Sequence, residues 1–211
     1  MYFIDRYDAA RQLARHLEKY KPDSDVILAV PCGSVPVGYY LAKHFDFPLI
    51  LLMSKRIGHP RNKEFAIGTV DLENSFIEER YGVPESYIQE ETTRIRKELN
   101  NRYKLFMGNR DPIDISNKTV IVVDDGIATG RTILSTITML RKKLPKKIVV
   151  AVPVSTKYAA RRIKNEVDEF VCMNIPISFL GVGSFYKKFT RLTDREVITL
   201  MEELHGRYLT A

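Results

Sequence analysis

Residues 119–132 read Thr-Val-Ile-Val-Val-Asp-Asp-Gly-Ile-Ala-Thr-Gly-Arg-Thr. The first five are apolar or β-branched, which is typical of a strand buried on both faces of a parallel sheet. Two acids, Asp124 and Asp125, follow that strand directly, and a turn with two glycines leads into a helix. Because open α/β sheets bind their ligands at the carboxyl ends of their strands, this segment predicts an α/β fold and the edge that carries the site.

The same alternation of apolar runs and amphipathic segments extends over most of the chain. Further buried strands are predicted at residues 26–30, 48–52, 147–152 and 169–173. Helices are predicted at residues 5–20, 35–44, 130–143 and 156–165. Strands that alternate with helices favour a mostly parallel twisted sheet flanked by helices, with right-handed crossovers.

The alternation is interrupted between residues 55 and 118. A polar segment punctuated by Gly and Pro comes first, and a long helical pattern with one apolar stripe follows. We interpret residues 55–118 as an insertion made of a flexible loop, a short β-arm around 65–76 and a packing helix over about 85–106. The insertion lies within one predicted domain that spans residues 1–211.

The composition narrows the class of protein. The chain has 211 residues, of which 45% are hydrophobic, and this excludes intrinsic disorder and fibrous repeats. Its apolar runs are far shorter than the ~20 residues that span a bilayer, and the N-terminus lacks the pattern of a signal peptide. Cys32 and Cys172 have no metal-ligand spacing, which predicts free thiols in a reducing compartment. We therefore expect a cytoplasmic protein that does not contact membranes.

The charge is concentrated in one part of the chain. The net charge is +7, and residues 131–191 alone hold 13 Lys and Arg against 3 acids. Such a basic stretch suits a phosphate-rich ligand or nucleic acid. The alternative is that the Arg141-Lys-Lys segment ends a helix and stays solvated, because cations are favoured at a helix C-terminus.

The turn after Asp125 has the features of a phosphate site. Free N–H groups at a helix start bind phosphate, Thr129 and Thr132 add hydroxyl donors, and the glycines permit a close approach. The spacing excludes a P-loop, since Gly126 and Gly130 lie one residue too close and Arg131 replaces the lysine. A G-x-G-x-x-G fingerprint and a D-x-D-T motif are also absent. An acid pair beside an anion cup therefore suggests one ligand with sugar hydroxyls at one end and phosphate at the other.

This segment resembles the phosphoribosyl-pyrophosphate signature of type I phosphoribosyltransferases, and the resemblance covers nearly the whole chain. Three further motifs resemble bacterial members without an assigned acceptor: Pro31-Cys-Gly-Ser-Val-Pro-Val-Gly38, Lys55-Arg-Ile-Gly-His-Pro60 with Asn62 and Glu64, and Val182-Gly-Ser-Phe-Tyr186. The resemblance implies the type I phosphoribosyltransferase fold. It also implies transfer of a phosphoribosyl group from phosphoribosyl pyrophosphate to a nitrogenous acceptor, a nucleobase or related amine, with release of pyrophosphate and dependence on Mg²⁺.

The resemblance also implies roles for residues of the acid pair and the turn. Asp124 and Asp125 would be the catalytic acids that hold the ribose hydroxyls, and they would bind Mg²⁺ largely through those hydroxyls or water. The ribose 5-phosphate would be bound by the residues of the turn, namely Gly126, Ala128, Thr129, Gly130, Arg131 and Thr132. The alternative is that both acids are turn or capping residues.

The pyrophosphate would be bound by residues that follow the first two strands, namely Cys32, Gly33, Ser34, Lys55 and Arg56. Relatives often have a cis peptide bond in the first of these loops, here between Pro31 and Cys32, with a basic residue at position 32 and Gly at 34. The departures remove a cation, so that affinity would rest on backbone N–H groups. A mobile cover is expected at residues 58–68, with His59 as a candidate proton donor or a plain surface residue.

The C-terminal segment 174–211 is expected to form a small hood over the acceptor. Phe185 or Tyr186 would stack on the acceptor, or the two rings would only close the hydrophobic core. Purine transferases often have an acid after this aromatic pair, where this chain has Lys187-Lys188, and Asp194 is better explained as a helix N-cap. The chemical identity of the acceptor therefore stays open.

Two other functions are compatible with the same residues. One is a regulator that binds phosphoribosyl pyrophosphate, transfers weakly, and contacts nucleic acid through the basic C-terminal half. The other is phosphoribosyl hydrolysis. For either function, as for the transferase, the family resemblance predicts a homodimer.

Overall fold

The structure is a computed structural model that describes residues 2–21, 26–77, 82–108, 110 and 113–208. Backbone contacts divide the chain into two compact units. The first unit comprises Met1–Leu51 and Pro112–Ala211, and the second comprises Leu52–Asp111. The predicted insertion at 55–118 overlaps the second unit.

The elements alternate much as the apolar pattern predicts. In chain order the strands are β1 (Val26–Ala29), β2 (Leu49–Leu51), β3 (Ser54–His59), β4 (Asn62–Asp71), β5 (Ser75–Ile77), β6 (Thr119–Val123), β7 (Lys147–Val154) and β8 (Glu169–Asn174). The α-helices are α1 (Arg6–Leu17), α2 (Val35–Phe45), α3 (Glu85–Met107), α4 (Arg131–Lys142), α5 (Lys157–Lys164) and α6 (Asp194–Tyr208). Short 3-10 helices occur at Glu18–Tyr20 and Val182–Phe185.

The first unit is built on a parallel five-stranded sheet with the order β2-β1-β6-β7-β8. The adjacent strands β1 and β6 pair from Val26 opposite Val120 to Ala29 opposite Val123. Every residue of both strands is buried, which explains their uninterrupted apolar sequences. The predicted fold class is confirmed, and the chain changes direction across the sheet between β1 and β6, where such sheets form a ligand crevice.

The N-terminal segment pairs with the predicted hood. Phe3 forms a parallel bridge with Tyr186, its N–H donates to the Phe185 carbonyl over 2.8 Å, and its carbonyl accepts from the Lys187 N–H over 2.8 Å. Beyond this segment, α6 packs against α2 of the same unit. These contacts fix the backbone of residues 185–187 to the residues immediately before α1.

The second unit consists of a three-stranded antiparallel sheet, β3-β4-β5, and the helix α3. The β-arm expected around residues 65–76 overlaps β4 and β5, but the polar residues before it, expected as a loop, form β3 and the start of β4. The mobile cover expected at residues 58–68 stays a prediction. Ile57 and Ile67 are fully buried, whereas most of the hairpin's outer residues are exposed and polar. The cross-strand pairing that orders this hairpin is not visible in a local polar sequence.

Among the described residues, no helix is both long enough and apolar enough to cross a membrane.

Candidate functional site

The candidate site lies where β1 and β6 end, at the carboxyl edge of the parallel sheet. β1 is followed by the loop 31–34 and β6 by the segment 124–130. The two segments come into contact, because a Cβ atom added to Gly33 would lie only 2.5 Å from Oδ2 of Asp125. Glycine is therefore required at position 33 for the loop to pass the acid pair.

The acid pair is withdrawn from solvent. Asp125 is buried, Asp124 is half-buried, and the Asp125 N–H donates to Oδ1 of Asp124 over 2.9 Å. Burial raises the pKa of Asp124 well above its usual value, and the neighbouring Asp125 carboxylate raises it further. Burial also raises the pKa of Asp125, whereas Arg6 opposes that rise. The edge thus holds unfavourable negative charge that a cationic ligand or a hydrogen-bond donor would stabilise.

Arg6, in the first turn of α1, is the partner of Asp125. Its Nε donates to Oδ2 of Asp125 over 2.8 Å, and the two residues are only 7% and 8% exposed. Its Nη1 donates to the Thr190 carbonyl over 2.8 Å, and its guanidinium carbon lies 3.9 Å from the centre of the Phe189 ring. Arg6 therefore joins the acid pair to the hood segment.

The two aromatic residues expected at the acceptor are part of the core. Phe185 and Tyr186 are each 7% exposed, and they pack with Phe3, Ala9 and Val154. The Tyr186 hydroxyl donates to the Asp125 carbonyl over 2.5 Å. This placement argues against stacking of either ring on an acceptor, and it favours the other interpretation, in which the rings close the core. The Tyr186 side chain instead supports the backbone of the acid pair.

The turn before α4 offers unpaired donors. Gly130 has φ +74°, a left-handed conformation that glycine adopts without strain, and the first α-helical hydrogen bond runs from Leu134 N–H to the Gly130 carbonyl. Among the described residues, no acceptor pairs with the N–H of Ala128, Thr129, Gly130 or Thr132, while Arg131 N–H makes only a long 3.5 Å contact with Thr129 Oγ1. These amides, at the positive end of the α4 dipole, form an anion cradle.

Two contacts hold the cradle in place. The Thr156 hydroxyl donates to the Ala128 carbonyl over 2.7 Å and accepts from the Ala159 N–H over 3.1 Å. The same hydroxyl therefore caps α5 and anchors the turn. A Cβ atom on Gly126 would lie 2.6 Å from Val182, so this glycine lets the hood segment pack on the turn. Gly126 therefore has a packing reason to be glycine, and its predicted contact with phosphate stays a prediction.

The loop 31–34 has the expected cis peptide bond, but the Ser34 hydroxyl points into the protein. The peptide bond between Pro31 and Cys32 is cis. Ser34 is fully buried, and its Oγ donates to the Val30 carbonyl. Among the described residues, nothing accepts from the N–H of Gly33 or Ser34, so the amides rather than the Ser34 side chain remain as donors. Cys32 Sγ lies 3.9 Å from Oδ1 of Asp194, at the start of α6.

Lys55 and Arg56 lie in the second unit, on β3. Lys55 Nζ pairs with Oε1 of Glu98 on α3 over 2.7 Å, and Arg56 is exposed. His59 Nδ1 accepts from the Arg61 N–H over 3.1 Å, which stabilises the turn between β3 and β4. The contact of Lys55 and Arg56 with pyrophosphate stays a prediction.

The donor set fits a metal held mainly through the substrate. The part of the chain that the structure describes contains no cluster of three or more His, Cys, Asp or Glu side chains able to bind a metal. One oxygen of Asp125 is bound to Arg6, and Oδ1 of Asp124 accepts the Asp125 N–H. Mg²⁺ prefers oxygen ligands and retains water, so this pair fits an ion that also uses the oxygens of a bound substrate.

Sequence reasoning missed Arg6 and Thr156. A signal for Arg6 does exist, since residue 6 shares the helical face of the buried Ala9, Ala10 and Leu13. A charged residue on an otherwise buried stripe indicates a buried partner. For Thr156 the sequence shows a helix N-cap but not its second bond to the turn.

Comparisons with known proteins show which family this chain resembles. The family model described as the phosphoribosyl transferase domain matches residues 5–188. The crystal structure of TT1426 from Thermus thermophilus has a TM-score of 0.86 and 30% identity, covering 97% of this chain and 99% of that chain.

Among curated proteins, one from Mycobacterium tuberculosis (strain CDC 1551 / Oshkosh), provisionally named a phosphoribosyl transferase, is 31% identical over 99% of this chain. This chain spans about half the length of that relative, 48%. The bifunctional protein PyrR of Bacillus cereus (strain B4264) is 29% identical over 127 residues, which cover 60% of each protein.

Proposed function

This chain belongs to the phosphoribosyl transferase family, and we propose that it transfers a phosphoribosyl group from phosphoribosyl pyrophosphate to a nitrogenous acceptor, with release of pyrophosphate. The observation that carries the proposal is the pairing of an acid pair with an unpaired amide cradle on one continuous segment, 124–132. A sugar phosphate matches both ends of that segment, because its hydroxyls suit carboxylates and its phosphate suits helix-start amides.

Each part of the segment has a chemical task in this proposal. Asp124 and Asp125 accept hydrogen bonds from the ribose hydroxyls, and their charge stabilises the positive charge that develops on the ribose ring during transfer. The amides of Ala128–Thr132 and the hydroxyls of Thr129 and Thr132 hold the 5-phosphate. Arg6 keeps the Asp125 carboxylate in one orientation, because its Nε donates to Asp125 while its Nη1 is held by the Thr190 carbonyl.

The pyrophosphate is assigned to the loop 31–34. The unpaired N–H groups of Gly33 and Ser34 support this assignment, and the inward Ser34 hydroxyl limits the loop to main-chain donors. Lys55 and Arg56 would add cations. Mg²⁺, when bound, supplies charge that neutralises the oxygens of the leaving pyrophosphate, and Asp124 and Asp125 would hold it chiefly through substrate oxygens and water.

Titration calorimetry with phosphoribosyl pyrophosphate and Mg²⁺ tests the proposal. We expect binding by the wild type, and Asp124→Asn should weaken it by about tenfold or more, since hydrogen bonds to charged groups contribute ~1.5–3 kcal/mol. Glu202→Gln on the exposed face of α6 is the matched control and should leave binding unchanged. The proposal is wrong if the wild type gives no heat, or if Asp124→Asn and Asp125→Asn together do not weaken binding.

A further inference from the structure

The part of the hood segment from Lys187 to Leu192, in the first unit, lines one side of a cavity of about 760 Å³. Its other walls come from the beginnings of α1, α2 and α6. Pro36, Phe189, Leu192 and Leu200 supply apolar surface, and Arg6, Lys187, Lys188 and Arg195 supply positive charge. A cavity of this size suits a small molecule, since ligand pockets typically measure ~300–1,000 Å³.

The cations of this cavity are not balanced by its acids. Arg6 is neutralised by Asp125, but within the described ranges Lys187, Lys188 and Arg195 have no ion-pair partner. The two acidic wall residues are committed to helix caps: Oδ1 of Asp5 accepts from the Asp8 N–H over 2.9 Å, and Oε2 of Glu196 accepts from the Thr193 N–H over 2.8 Å. The three unpaired cations outnumber these two acids, and in the described part of the chain none of them forms an ion pair with either acid.

The lysine-bearing wall is a fixed surface. The N–H of Lys187 donates to the Phe3 carbonyl over 2.8 Å, and that of Lys188 donates to the Ile4 carbonyl over 2.9 Å. Two residues further on, the Thr190 carbonyl accepts from Arg6 Nη1 over 2.8 Å. Because the backbone is held at these points, binding does not have to order the main chain of this wall.

The cavity adjoins the acid pair. Arg6 lines the cavity and at the same time bonds to Oδ2 of Asp125, so the two sites share one side chain as a wall. The start of α6 also approaches the loop 31–34, where Cys32 Sγ lies 3.9 Å from Asp194 Oδ1. A molecule in the cavity would thus contact Arg6, the partner of Asp125, and Pro36, which follows the loop 31–34 by two residues.

We propose that this cavity is the acceptor site and that the acceptor carries an acid group on an apolar body. This inference rests on the proposed function. The acid group pairs with Lys187, Lys188 and Arg195, while the apolar body lies against Phe189, Leu192 and Leu200. In the transfer, the lone pair of the acceptor nitrogen forms the bond to ribose C1, the C1–O bond breaks with its electron pair leaving on pyrophosphate, and the proton of the nitrogen passes to solvent.

Matched pairs of heterocycles test the choice of acceptor. Pyridine and pyrimidine rings, each as carboxylate and as carboxamide, are titrated against the full chain with calorimetry as the readout. We expect carboxylates to bind about tenfold more tightly than their carboxamides, because charge-assisted hydrogen bonds are about twice as strong as neutral ones. The variant Lys187→Ala/Lys188→Ala should abolish this preference, whereas the exposed pair Lys146→Ala/Lys164→Ala should retain it. Equal binding of both forms, or a preference that survives the first variant, would overturn the inference.

A second measurement separates the acceptor site from an anion site with another role. Pyrophosphate release is followed with phosphoribosyl pyrophosphate, Mg²⁺ and each carboxylate that binds. Release that depends on the carboxylate supports the inference, and binding of every carboxylate without release overturns it. If phosphoribosyl pyrophosphate itself does not bind the wild type, the proposed function fails, and the carboxylate preference then reports an anion site without transfer.

Discussion

Carboxylates at the two edges of the parallel sheet have opposite surroundings. At the carboxyl edge, Asp124 and Asp125 lie side by side, and burial raises the pKa of both. At the amino edge, Glu169 begins β8 and accepts from Lys19 over 2.6 Å and from Lys147 over 3.1 Å. The hydrogen bond from Lys19 contributes most to lowering the pKa of Glu169 to about 2. The amino edge uses charge to stabilise the fold, whereas the carboxyl edge keeps a charge that destabilises it, and such a cost is typical of functional sites.

Arg6 compensates the buried negative charge at the carboxyl edge, and its removal should have the largest effect on the free energy of unfolding. Arg6→Met leaves the buried Asp125 carboxylate without its cation, which typically costs ~3–5 kcal/mol of unfolding free energy. Urea unfolding measures the loss. Adding Asp125→Asn to Arg6→Met should recover much of it, because the uncompensated charge is then gone.

Arg11→Met is the matched control for Arg6→Met. Arg11 lies on the same helix and pairs with Asp8 over 2.7 Å, but its side chain is 60% exposed. We expect a change below ~1 kcal/mol, as for other surface ion pairs. An Arg6→Met loss no larger than that of Arg11→Met would show that the buried pair does not carry the stability of this edge.

Asp124→Asn should change stability in the opposite direction to its effect on ligand binding. Because the folded-state pKa of Asp124 is raised above its usual value of 3.8, its ionised form favours unfolding as the pH rises through and above that value. Asn carries no charge, so we expect the variant to be more stable at neutral pH, by about 1 kcal/mol or more.

The pH dependence provides the check on Asp124→Asn. Below the ordinary pKa of an aspartate the carboxyl is protonated in both folded and unfolded chains, and the two proteins should then converge in stability. Unfolding curves at neutral and acidic pH test this convergence. A variant that is less stable than wild type at neutral pH would mean that hydrogen bonds to Asp124, such as that from the Asp125 N–H, outweigh the charge repulsion.

The sequence could predict those parts of the fold and of the site that leave a local pattern in it. Strands such as β6 were predicted within a residue, because burial on both faces leaves a continuous apolar run. The acid pair and the glycine turn were visible because they are contiguous. The β-arm expected around 65–76 overlaps β4 and β5, whereas β3 was expected as a loop, because its order depends on cross-strand pairing of polar residues.

Contacts between residues that are far apart in the sequence leave no local pattern and could not be predicted. Arg6 and Asp125 are 119 residues apart, and the Tyr186 hydroxyl bonds to a carbonyl 61 residues earlier. Sequence reasoning therefore left Phe185 and Tyr186 either at the acceptor or in the core, since an aromatic pair in a hood has the same composition whether it is exposed or buried. The packing of Phe3 from the N-terminal segment favours the core, and only the tertiary fold shows this packing.

Glu169→Gln should have the smallest effect and the opposite pH signature to Asp124→Asn. A carboxylate whose pKa is lowered in the folded state contributes stability above its unfolded value of 4.5 and loses it as the pH falls towards about 2. Its side chain is 32% exposed, so solvent screening should keep the contribution below ~1 kcal/mol. Urea unfolding should show wild type as more stable at neutral pH, with a difference that narrows as the pH falls below 4.5. Because Lys19 and Lys147 are partly exposed, high salt should also narrow it, and a difference that grows in acid would mean that Glu169 does not stabilise the amino edge through its charge.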